Sequence, residues 1–168
     1  GNLIVAGEPE KQKALNELVR GWGVCYKPEE LLQGNMPDLA ENLIVADISE
    51  AGIRQTGIGA GLKARNYQVA FPGTVALTFA PGSGFLGAPV VERAGDTLML
   101  VLRRQLGEKE QRIMVSGDAD WFSSGGVSIQ KDNVSLNNFG LLMEMLHYMT
   151  YGAFPVDNGR PSPTDDAL

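Results

Sequence analysis

Asp118 and Asp120 are the residues whose type and spacing best suit chemistry. They come after the apolar run Ile113-Met114-Val115 and the pair Ser116-Gly117, with Ala119 between them and Trp121-Phe122 next. Two carboxylates at i and i+2 can share a Mg²⁺ or Ca²⁺ ion. They can also act as an acid and a base when their environments push their pKa values apart. The plainer reading is that they accept backbone N–H groups in a turn and cap the segment after it. In an open α/β sheet, ligands bind at the carboxyl ends of strands, which is where this run ends. Two carboxylates are few for a metal site, and no third ligand lies close by in sequence. No metal is therefore expected.

Other motifs compete for the same role. Gly57-Ile58-Gly59-Ala60-Gly61 looks like a dinucleotide fingerprint, but its third glycine comes one position early and no strong strand precedes it. A loop is the expected reading, and no cofactor is expected. Pro81-Gly82-Ser83-Gly84 and Ser123-Ser124-Gly125-Gly126 lack the lysine of a phosphate-binding loop. Cys25 is the only cysteine and His147 the only histidine, so a structural zinc site is all but excluded. Cys25 comes after a helix and opens a strand. That is not the strand-to-helix turn of a nucleophile elbow, so a buried small hydrophobe is expected. His147 reads as a surface or rim residue. Arg103, Arg104 and Arg112 fit solvated strand ends, with an acidic partner as the alternative. Trp22, Trp121, Phe122 and Tyr148 read as core or rim aromatics, with sugar stacking as the alternative.

Periodicity gives the elements that would position these residues. Leu3-Ile4-Val5-Ala6 suits a strand buried on both faces. Residues 9–20 read as a helix, with Leu15, Leu18, Val19 and Trp22 on one stripe. Residues 24–26 make a strand closed by Pro28, residues 29–40 a polar loop, and residues 42–48 a second clear strand. Residues 50–66 hold four glycines and read as loop. Residues 67–71, 75–79, 90–91, 97–103 and 113–116 are strand candidates between Pro and Gly breaks. Residues 107–110 form a charged turn and residues 122–136 a Gly/Ser/Asn loop. Residues 137–151 make the strongest helix, capped by Asn137 or Asn138. Its apolar stripe is Phe139, Leu142, Met143, Leu146 and Met149, with Gly140, Glu144, His147 and Tyr151 opposite. The organisation is an α/β domain over residues 1–154 and an extended linker over 155–168, rich in proline.

The chain has 168 residues, 43% hydrophobic and 20% charged, which is ordinary for a globular domain. Its formal net charge is −6. That argues against a nucleic-acid partner and against adsorption to an anionic membrane surface. One cysteine permits no internal disulfide, and no apolar run reaches the ~18 residues of a membrane span.

Three segments resemble a known family. Gly-Asn-Leu-Ile-Val-Ala-Gly-Glu-Pro at the start, with Leu15-Asn16-Glu17-Leu18 and Trp22-Gly23-Val24, resembles a Gly-Gly-Asn-Leu strand leading to a helix that ends in Gly-Val. Residues 110–120 resemble its Gln-Arg-Ile strand running into Gly-Asp-Ala-Asp. Residues 137–157 resemble its closing helix and exit. The family is the extracytoplasmic auxiliary domain of ABC-2-type transporters, which includes the gliding-motility-associated transport component. The resemblance implies an α/β fold, flavodoxin-like or glutamine-amidotransferase-like, layered around a mixed sheet. A strand-helix segment precedes the first strand in that family, so a truncated version of the domain is the expectation here.

It further implies a periplasmic, non-catalytic accessory domain that recognises a ligand or a partner. Permease and ATPase subunits would be the partners, and membrane attachment would run through segments outside this sequence. The rim expected to do so is Asp118, Asp120, Trp121 and Ser123. The alternatives are a metal-dependent hydrolase using Asp118 and Asp120, and a scaffold that binds only other transporter subunits.

Overall fold

The computed structural model describes residues 1–32 and 42–154. Within them the chain runs β1 (Leu3–Ala6), α1 (Gln12–Val19), β2 (Val24–Glu30), β3 (Leu43–Ile48), α2 (Glu50–Thr56), α3 (Ala60–Ala64), β4 (Val69–Pro72), β5 (Val75–Phe79), β6 (Leu86–Arg93), β7 (Asp96–Leu106), β8 (Lys109–Ser116) and α4 (Asn138–Met149). Single 3₁₀ turns occupy Arg20–Trp22, Asp120–Phe122 and Gly126–Ser128.

The strands form one mixed sheet in the order β1-β8-β7-β6-β3-β4. Only β1 and β8 run parallel; the other described pairs are antiparallel. β5 pairs with β2 and, through Leu77 and Thr97, with the start of β7. The sheet therefore curls at that end. This is the α/β class expected for the chain, with the mixed sheet that the resemblance implies.

The central strands alternate between two cores, as their continuous apolar runs require. Met99, Val101 and Met114 face a core closed by Ile58, Leu62, Leu141 and Met145, from the α2–α3 region and α4. Leu100, Leu102, Ile113 and Val115 face a second core with Val19, Val24, Tyr26 and Leu77, from α1, β2 and β5. The turn from β7 to β8 has two residues, and Gly107 at its first position has φ +62°. A glycine there supplies the mirror-type turn whose twist matches paired strands.

Several expectations need correction. Residues 50–66 hold two short helices rather than a loop. Ser49 caps α2, its hydroxyl accepting from the Gly52 N–H, and Gly57 ends that helix in the left-handed region. Gly57 and Gly59 punctuate the two helices, while Gly52 and Gly61 lie within them. β2 does not end at Pro28; it continues to Glu30 through a bulge between Tyr26 and Glu30, which accommodates a residue without an N–H. The strand expected at 90–91 extends over all of β6. Leu18, expected on the buried stripe of α1, is 53% exposed, while Val19 is fully buried.

The buried face of α4 differs most. It presents Asn138, Leu141, Glu144, Met145, Tyr148 and Met149 to the interior, and Phe139 is 54% exposed. This helix is apolar almost all round, so its pattern does not select a face. Cys25 is exposed rather than buried. The polar stretch beyond Leu32 and the linker over 155–168 lie outside the described residues.

Candidate functional site

Ser116 and Gly117 stand where three strands meet. The Gly117 N–H donates to the Leu98 carbonyl at 2.8 Å, and its carbonyl accepts from the Val75 N–H at 3.2 Å. β8 thus leaves β7 at Gly117 and β5 takes its place. The Ser116 carbonyl accepts from the Gly7 N–H at 2.8 Å and from the Tyr26 hydroxyl at 3.1 Å. The carboxyl ends of the parallel strands β1 and β8 are therefore tied side by side. A Cβ on Gly117 would lie 2.0 Å from the Val75 carbonyl oxygen and 2.6 Å from the Thr74 hydroxyl. Only glycine lets these backbones approach. Gly117→Ala is expected to cost about 3 kcal/mol, the upper range for overpacking, because backbone must move. Urea unfolding would measure it.

The turn after Gly117 is braced from inside. The Ser116 hydroxyl donates to the Asp118 carbonyl at 2.7 Å and accepts from the Trp121 indole Nε1–H at 3.1 Å. Asp118 Oδ1 accepts the Asp120 N–H at 3.0 Å. Trp121 is fully buried and stacks on Phe71, with ring centroids 5.6 Å apart. Asn138 clamps the next loop. Its amide nitrogen donates to the Ala70 and Gly126 carbonyls at 2.7 and 3.0 Å, and its oxygen accepts from the Ala70 N–H at 2.8 Å.

Of the four expected rim residues, only Asp120 and Ser123 reach solvent. Asp118, 1% exposed, and Trp121 lie behind them as the frame of the turn. The structure thus brings the four together, but splits them into two inner and two outer residues. Ser123 Oγ donates to the Asp120 carbonyl at 2.8 Å and accepts from the Gly126 N–H at 3.0 Å.

Asp118 Oδ2 is buried with no hydrogen-bond partner among the described residues. Burial lifts this carboxyl from its usual range to about 7, aided by the negative charges of Asp120 and Glu8 and opposed by the backbone N–H groups of Asp120 and Trp121. A neutral carboxyl costs less to bury there than an anion. Among the described residues, no group of three or more His, Cys, Asp or Glu side chains is gathered to hold a metal.

The glycine-rich stretch at 57–61 does receive an anion, and the chain itself supplies it. Glu144 Oε2 accepts the Gly59 N–H at 3.1 Å. Burial raises the Glu144 pKa, while the backbone N–H groups of Gly61 and Gly59 lower it. A phosphate would have to displace this carboxylate. Periodicity puts Glu144 on the polar side of its helix, so this partnership is invisible in the sequence.

Arg112 is not a solvated strand end. Its guanidinium lies 3.9 Å from the Tyr148 ring centroid and 4.6 Å from that of Tyr151, and Nε donates to Glu110 at 2.8 Å. Arg104 covers Phe85, and Arg103 donates to the Gln55 carbonyl at 3.0 Å. His147 is exposed, and its Nδ1 lies 2.6 Å from the Phe154 carbonyl.

Sequence reasoning missed Ser116, Tyr26 and Asn138. Only Asn138 left a signal, as one of two candidate caps. Asn137 makes the cap, accepting the Gly140 N–H at 2.8 Å, and this frees Asn138 to point inward.

The fold and site define a mixed α/β domain with a braced acidic turn at the carboxyl ends of two parallel strands. Comparison with protein-family models, with curated proteins and with solved structures finds no match to this chain.

Proposed function

We propose that this chain is a non-catalytic recognition domain, held at the extracytoplasmic face of a membrane beside the permease and ATPase subunits of an ABC-2-type transporter. The observation that carries the recognition reading is the inside-out arrangement of the Gly-Asp-Ala-Asp turn. Asp118, the carboxyl with the most unusual environment, is shut inside and spends Oδ1 on the Asp120 N–H. Asp120 and Ser123 face outward on a turn whose shape is fixed by Ser116, Trp121 and Asn138. A rigid frame with exposed acceptors suits docking, because little freedom is lost on binding. The transporter context rests on the resemblance of the three segments in sequence.

Photo-cross-linking from position 123, in membranes that contain the candidate permease and ATPase, tests this reading. Cross-links to either subunit are expected, and Asp120→Lys is expected to reduce their yield at unchanged melting temperature. Absence of cross-links in such membranes would count decisively against it.

The metal-dependent hydrolase remains the second reading, because a carboxyl near pKa 7 suits acid–base work. It requires that Mg²⁺, Mn²⁺ or Ca²⁺ raise the melting temperature, and that Asp118→Asn with Asp120→Asn abolish the rise.

A further inference from the structure

A polar pocket of about 410 Å³ opens beside β3 and β6, on strands separated from β8 by β7. It is lined by Asp47, Ile48, Lys63, Asn66, Tyr67, Gln68 and Glu92. We propose that this pocket binds a neutral polyol or sugar through neighbouring hydroxyl groups. The pocket is separate from the acidic turn, and its chemistry does not depend on the transporter context.

The strand register sets the geometry. Asp47 and Glu92 are direct partners across β3 and β6. Directly opposed side chains on antiparallel strands share a face, with Cβ atoms about 5 Å apart, and like charges there are destabilising. The chain relieves only one of them: Gln68 Nε2 donates to Asp47 Oδ1 at 2.8 Å. The Glu92 carboxylate, the Asn66 side-chain amide and the Tyr67 hydroxyl have no partner among the described residues. Lys63 is already committed, donating to the Ile48 carbonyl and pairing with Glu50, both at 3.1 Å.

The mixture of groups selects the ligand. Two carboxylates repel an anion. A simple cation would satisfy them but would stand beside the Lys63 ammonium, a like charge in the same pocket. An apolar molecule would bury these polar groups without replacing their water. A hydroxyl both donates and accepts, so adjacent hydroxyls can donate to Asp47 and Glu92 while accepting from Asn66 and Tyr67. Two strands carry the carboxylates, and the Gln68 and Lys63 contacts hold two of the neighbouring side chains. The backbone positions of the two carboxylates, and the Gln68 and Lys63 side chains, are therefore set before the ligand arrives.

Saturation-transfer difference NMR on the whole chain is the test, with D-glucose, D-mannitol and N-acetyl-D-glucosamine as probes and putrescine as an amine control. Transfer to at least one polyol is expected. Glu92→Ala should weaken that binding about tenfold, the loss of one hydrogen bond to a charged group. Asn66 sits at φ +59°, so Asn66→Gly keeps the backbone and removes only the amide; it should also weaken binding. Asp120→Ala should leave binding unchanged. Asn66→Gly should melt like the parent protein, and Glu92→Ala no lower than it, since that substitution removes one of two opposed like charges. Silence from every polyol, polyol binding that survives both substitutions, or binding of putrescine alone would each overturn the proposal.

Discussion

Trp121→Ala is expected to destabilise the chain by about 3–5 kcal/mol, the range for emptying a buried aromatic site. Two losses combine. The first is packing: the indole is fully buried, lies nearly parallel to Phe71 and meets the edge of Phe122 at 5.2 Å. The second is polar: the Ser116 hydroxyl loses the indole N–H that it accepts. Trp121→Phe separates them. It keeps a ring against Phe71 and removes the donor, so a cost of about 1–2 kcal/mol is expected. Urea unfolding of both variants measures the difference. Equal costs would mean that the hydrogen bond, not the packing, carries the site. The cross-linking yield from position 123 should fall in the alanine variant even where the domain stays folded, because the turn loses its inner wall.

Asp118 is expected to make stability fall as pH rises from about 4 to about 7. Its folded pKa, about 7, lies above its ordinary value of 3.8. The folded state therefore binds the proton more tightly than the unfolded state. The resulting stabilisation is fully present below pH ~4, where both states are protonated. It is lost progressively as pH rises to about 7 and is absent above that. A shift of this size corresponds to at most ~4 kcal/mol over the window. Asp118→Asn keeps an oxygen to accept the Asp120 N–H and removes the titration. It should match the parent protein near pH 4 and exceed it in stability near pH 8. Denaturant midpoints at the two pH values check this. A variant that is less stable than the parent at pH 8 would show that the ionised carboxylate is the better fit to the site.

These two effects share one cause. The Gly-Asp-Ala-Asp turn is stabilised from its buried side, where an indole, a serine hydroxyl and a carboxyl meet. A turn of this kind holds its outer residues still. That is what the recognition proposed for Asp120 and Ser123 requires, and Asp118 itself is shut away from solvent.

Strands β1 and β3 and the apolar parts of β7 and β8 were legible, because each is an apolar run too short for a helix and flanked by breakers. The polar start of β8, Lys109 to Arg112, read partly as turn and is strand because it pairs with β7. The α/β class came from these runs and from two helical periodicities. The end of β8 at Gly117 was legible too, since glycine then aspartate rarely continues a strand. The Asn137 cap needed only its position before a helical pattern. These are local matters, set by backbone propensity and by hydrogen bonds within a few residues.

Pairings between distant residues decided the rest. Nothing in the sequence reveals that Glu144 fills the glycine-rich turn 85 residues away, because a carboxylate on a helix reads as solvated until a nest of N–H groups is brought to it. The face of α4 was open for the same reason: apolar residues surround that helix, so the cores of β4 and β7 chose which side to bury. The inward turn of Trp121 and Asp118, and the meeting of Asp47 with Glu92, come from strand register, which a single strand does not contain. The sequence by itself determined where strands end and which residues stand at those ends. The tertiary structure alone decided which of them face water, because burial depends on what the rest of the chain packs against them.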